Sequence, residues 1–181
     1  MLEALITIVI LAFGILGLAN LQAKMQTAEV ESYARSQALV LLDDMAARVS
    51  ANRANAAAYV ALAPTATPAG TGDGQPTDCV AAFPVPGPNR DVCEWSNALK
   101  GGAELSGVIA VGAMIGGRGC IDQLAGVDPP SYRIAVAWQG LNPTIAPNAG
   151  IDCAQALYGA NDAYRRIVTK IVSIANLAPG P

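Results

Sequence analysis

From Leu2 to about Asn52 the chain has no proline, and its apolar residues recur at helical spacing. Between Ala4 and Ala23 the run is apolar all round. Beyond it, Leu21, Met25, Ala28, Ser32, Leu39, Leu42, Ala46 and Val49 return at three-, four- and seven-residue steps. Lys24, Glu29, Glu31, Arg35, Asp43, Asp44 and Arg48 fall largely between them. This pattern predicts one continuous helix, apolar in its first half and amphipathic in its second. We divide the chain accordingly, with residues 1–25 as a membrane-type half helix and 26–181 as a polar head. Within the head we expect an amphipathic helix at 26–52, a loop at 61–90, and a sheet with C-terminal loops at 91–181.

The stretch from Ala61 to Pro88 is rich in Ala, Pro, Gly and Thr and reads as a surface loop, our preferred contact surface. Asp91 with Glu94 three residues later suggests a capped helix start, with Val92, Trp95 and Leu99 as its apolar face and Gly101-Gly102 as its stop. Three strand candidates follow: Gly107 to Ile115, Tyr132 to Trp138, and Arg165 to Ile174. The second alternates well, with Tyr132, Ile134, Val136 and Trp138 on one face. The connections suit antiparallel pairing and leave no room for crossover helices. The fold expected is therefore α+β: an antiparallel sheet packed on the amphipathic half of a long N-terminal helix. Trp95 and Trp138 read as core, and Arg165-Arg166 as a solvated pair at a strand edge.

One charge interrupts the apolar half. Glu3 precedes twenty uncharged residues, Ala4 to Ala23, and the next charge is Lys24. The run is about the length that crosses a bilayer core. A carboxylate in such a segment costs roughly 2.5–3.5 kcal/mol at the helix centre and less near its ends. It snorkels, stays protonated or meets a cation, and an amino terminus of this chain or a neighbour is such a cation. The run has no basic flank and no small-residue cleavage site before a polar domain, so we expect an anchor-type helix instead of a cleaved signal.

Composition narrows the rest. The 181 residues are 52% hydrophobic and 14% charged, with a net charge of −3, which argues against nucleic-acid binding. With no histidine, histidine-dependent catalytic arrangements and histidine metal sites are excluded. No phosphate-binding glycine motif is present. Thr71-Gly72-Asp73-Gly74 reads as a flexible turn, and Asp122 and Asp128 as turn and cap residues. We therefore expect no enzyme activity, no metal and no cofactor. The four cysteines, Cys79, Cys93, Cys120 and Cys153, lack C-x-x-C spacing and fit two disulfides in an oxidising compartment. Four cysteines allow three pairings, and spacing does not choose among them.

Met1-Leu2-Glu3-Ala4-Leu5-Ile6 and the long apolar helix after it resemble the start of a processed type IV pilin. Gly14 to Gln22, Ala34 to Ala38, Asp44 to Asn52 and Tyr132 to Gly140, with Cys153 beyond, resemble minor pilins of the PilV type. Many major pilins carry a proline late in the apolar run. This chain has none there, as fits a minor pilin. In that family a prepilin peptidase cleaves the precursor, the new amino terminus is methylated, and a glutamate close to it pairs with a neighbour's amino terminus. Glu3 matches that glutamate, so the chain is expected to begin just inside the mature protein. The resemblance implies a helical spine, an antiparallel sheet and disulfide-closed loops. With it we take Cys79–Cys93 and Cys120–Cys153 as the expected pairs. It also implies the partners: other minor pilins, the major pilin and a PilY-type tip adhesin. The implied location is the bacterial inner membrane before assembly, with the head in the periplasm, and an extracellular pilus afterwards. Two alternatives stay open: a minor pseudopilin of a type II secretion system, and a membrane-anchored periplasmic enzyme or binding protein.

Overall fold

The computed structural model describes residues 2–102, 105–106, 109–110 and 114–175. It divides into two compact units, residues 1–35 and 36–181. Helix α1 spans Leu2–Ala51 without interruption. The second unit adds helix α2 (Ala56–Leu62), strand β1 (Ala69–Gly70), helix α3 (Cys79–Ala82) and helix α4 (Pro88–Leu99). Strands β2 (Leu105–Ser106), β3 (Ile109–Ala110), β4 (Arg118–Gln123), β5 (Ser131–Gln139) and β6 (Arg165–Ser173) follow. The fold is α+β: a long N-terminal helix, a four-stranded antiparallel sheet of order β1-β4-β5-β6, and two disulfides.

Strand parity sorts the sheet into two faces. Gly119 and Ile121 of β4 stand opposite Val136 and Ile134 of β5, and Tyr132 and Trp138 share that side. The Trp95 ring of α4 lies on this face at Gly119, and Lys170 of β6 reaches Asp43 of α1 at 2.7 Å. This is the helix-facing core, and Ala38, Leu42, Met45, Ala46 and Val49 of α1 are buried with it. Leu39, expected in the same stripe, is 44% exposed. On the opposite face Cys120, Ala135 and Ala137 pack with Cys153, Ala154 and Tyr158 from the C-terminal loop. Both faces of β5 are therefore covered, and its small residues make room for the loop.

Three expectations are corrected. Helix α4 begins at Pro88 with Gly87 before it, so Asp91 is a first-turn residue and not the cap. Proline suits the first helical position because its missing N–H is unpaired there anyway. In the run from Gly107 to Ile115 the described strand is Ile109–Ala110, paired with Leu105–Ser106 in a separate two-stranded sheet; Gly107-Val108 and Val111 to Ala113 lie outside the described residues. The main sheet instead takes Arg118–Gln123, where Asp122 is a cross-strand partner of Arg133 (Oδ2 to Nη2, 2.8 Å) and not a turn or cap residue.

Candidate assembly site

The apolar half of α1 gives the first unit its character. Leu5, Ile10 and Leu11 are 63%, 64% and 63% exposed, on different sides of the helix. By length and composition this helix is long and apolar enough to cross a membrane. Its hydroxyls turn inward: Thr7 Oγ1 donates to the Ala4 carbonyl at 2.9 Å and Thr27 Oγ1 to that of Ala23 at 3.1 Å. Such bonds leave no stray donor for an apolar environment to accommodate. Glu3 stands in the first turn, where a carboxylate suits the helix dipole. Among the described residues it has no hydrogen bond or ion pair.

In the second unit the C-terminal part of α1 is held by a polar cluster that periodicity did not reveal. Arg48 Nη1 lies 3.1 Å from Asp91 Oδ1 and 2.7 Å from Glu94 Oε2, while its Nε meets Asp44 Oδ2 at 3.0 Å. Tyr59 of α2, fully buried, donates its hydroxyl to Asp91 Oδ2, and Asn52 donates to the same hydroxyl at 3.3 Å. One arginine thus joins three carboxylates on two helices, with α2 attached through Tyr59. Burial alone would lower the Arg48 pKa; hydrogen bonds and charge from Glu94, Asp44 and Asp91 overcome this and raise it. The Tyr59 hydroxyl is pushed up to about 12, by burial first and then by its bond to Asp91. The i,i+3 pair Asp91 and Glu94 was the available signal, since it sets two acids on one face of α4.

No family model, curated protein or solved structure matches this chain.

The loop between α2 and α4 is fastened at several points. Cys79 bonds to Cys93 across 14 residues of sequence. Asp78 caps α3 by accepting from the Ala81 N–H at 2.9 Å. The Thr71-to-Gly74 segment, expected as a flexible turn, is tied down by Asp73. That carboxylate accepts from the Gly70 N–H (2.8 Å), the Gln75 N–H (3.3 Å) and Ser96 Oγ (2.6 Å), and it pairs with Lys100. Burial opposes its ionisation, but Lys100, Ser96 and the two amides together hold its pKa below the ordinary carboxylate value.

Cys120 bonds to Cys153 across 33 residues, anchoring the C-terminal loop to the outer face of the sheet. Arg165, expected to be solvated, is 3% exposed. Its Nη1 donates to the carbonyls of Ile151 (2.6 Å) and Cys153 (3.0 Å), and its Nε lies 3.3 Å from Asp162 Oδ2. The loop needs these donors because its own backbone carbonyls turn inward there. Arg166 remains near the surface and donates to Thr144 Oγ1 and the Asn142 carbonyl, both at 2.7 Å. Tyr158 completes the cover: burial raises its pKa, and its hydroxyl bonds the Gly116 carbonyl at 2.6 Å.

Proposed function

We propose that this chain is a structural subunit of a type IV pilus, a minor pilin of the PilV type, with no catalytic role. One observation carries the reading. The all-round apolar half of α1 bears a single carboxylate, Glu3, with no partner among the described residues, and the same chain carries a disulfide-closed α+β head. A helix of that kind is stable in lipid and equally stable buried among other apolar helices. Transfer between the two exchanges one apolar environment for another, so packing and polar pairing decide it. In the packed state Glu3 gains a cation, the amino terminus of a neighbouring subunit, and the pair sets the axial register.

On this reading a prepilin peptidase processes the precursor and the new terminus is methylated. The subunit waits in the bacterial inner membrane with its head in the periplasm. It then helps prime assembly and sits at or near the pilus tip with other minor pilins, the major pilin and a PilY-type tip adhesin. The experiment is direct: shear surface filaments from cells and probe them for this chain by quantitative mass spectrometry. The proposal expects the chain in the filament fraction at a small ratio to the major subunit. Its confinement to the membrane fraction of piliated cells would refute the proposal.

A further inference from the structure

Between Ala4 and Ala23 the apolar half of α1 holds three polar side chains, Thr7, Asn20 and Gln22. Thr7 is satisfied inside the helix by the Ala4 carbonyl. Gln22 is long and stands two residues from Lys24, so its amide reaches the wet end of the segment. Asn20 is shorter by a methylene and lies about 6 Å inside Lys24 along the helix. It is exposed, and its amide has no hydrogen bond among the described residues. An amide left unpaired in hydrocarbon is costly, and a facing helix that supplies a partner removes that cost.

Asn20 also marks a seam. Ile6, Val9, Phe13, Leu16, Asn20 and Ala23 follow one another at alternating steps of three and four residues, the heptad spacing of helices that wind about each other. All six are exposed. A single asparagine in such an apolar seam fixes the register of the helices that share it. Gly17 and Ala23, each one turn from Asn20, are small, and nothing lies within 4 Å of a Cβ built at Gly17. A second backbone can therefore come close at this point. Symmetry names the occupant. Copies anchored by the same N-terminal helix enter a membrane in one direction, so two of them pack in parallel, and every seam residue meets its own counterpart. Asn20 then faces Asn20 of the second copy, and each amide supplies the donor and acceptor that the other lacks. Like charges do not meet in this register: Glu3 and Lys24 share one flank of the seam, and Lys24 falls opposite Ala19 of the second copy.

We propose that two copies of this chain pair in parallel in the membrane along the Ile6–Ala23 seam, held in register by a hydrogen bond between their Asn20 amides. The inference rests on the membrane location in the proposed function and not on entry into a pilus. The test uses the full-length chain in micelles of a neutral detergent, with sedimentation equilibrium giving the dissociation constant of the pair. The wild-type chain dimerises. Asn20→Leu, which keeps a good helix former, should raise the constant about tenfold, equal to roughly 1.4 kcal/mol. Gln22→Leu, about 200° further around the helix, should leave it unchanged. In cells, the photoreactive residue p-benzoyl-phenylalanine at Leu16, on the seam, should give an adduct to a second copy. The same probe at Leu18, on the far side of the helix, should not. A monomer at every concentration, a constant indifferent to Asn20→Leu, or equal adducts from Leu16 and Leu18 would overturn the proposal. Intact dimers of a chain that is absent from sheared filaments would support the pair and overturn the pilus reading alone.

Discussion

The indole N–H of Trp95 donates to the backbone carbonyl of Leu41 at 2.9 Å, joining α4 to α1 across 54 residues of sequence. The ring is fully buried and lies over Gly119, so a single side chain ties together the spine, the short helix and the sheet. Trp95→Phe keeps most of the apolar surface and removes the donor, and should cost about 1–2 kcal/mol. Trp95→Ala leaves a cavity as well and should cost about 3–5 kcal/mol. Denaturant unfolding of the full chain in micelles, followed by near-ultraviolet circular dichroism, measures both.

Gly119 is the other half of that contact. A Cβ there would overlap the Trp95 ring, and the sheet holds the strand from behind. Gly119→Ala should therefore destabilise the head by about 1–3 kcal/mol through overpacking. The paired variant Gly119→Ala/Trp95→Phe should recover part of that loss, which a thermal melt series will show.

The same residues explain what the sequence could and could not reveal. The continuous helix, β5, β6 and the antiparallel order rest on periodicity, and long periodic segments are legible. Strand β4 was not foreseen, because Arg118-Gly119-Cys120-Ile121-Asp122-Gln123 has little β-branched character. Its glycine is there to admit Trp95, a tertiary reason with no local trace. Arg165 looked like an edge charge. Only the fold of the C-terminal loop brings the Ile151 and Cys153 carbonyls to it. The Arg48 cluster was hidden in the same way, since its partners lie 43 and 46 residues along the chain.

Asp73 gives a pH signature. Its folded pKa lies below the ordinary value, so its contribution is complete above about pH 4, the unfolded range. That contribution is lost as pH falls through the folded value. Asp73→Asn should cost about 1–2 kcal/mol near neutrality. The gap between wild type and variant should close steadily below about pH 4. Denaturation curves at stepped pH check this, and a constant gap would be inconsistent with the assignment.

The two disulfides should differ in weight. By the loop-entropy relation, closing 14 residues contributes about 3 kcal/mol and closing 33 about 4 kcal/mol. Cys120 and Cys153 also belong to the packed cluster under the C-terminal loop, so their loss removes core contacts too. Cys120→Ala/Cys153→Ala should thus lower the melting temperature more than Cys79→Ala/Cys93→Ala. Melts of the two double variants, each with the remaining bond verified by mass spectrometry, give the comparison.

The central claim is that Glu3 works between subunits and not within the chain. Its direct measurement is Glu3→Ala at the native locus, with surface filaments counted by electron microscopy and this subunit quantified in the sheared fraction. The head and the helix should fold as before, with the variant present in membranes at the wild-type level. The account predicts loss of the subunit from filaments together with fewer filaments per cell. Normal incorporation and a normal filament count would contradict it.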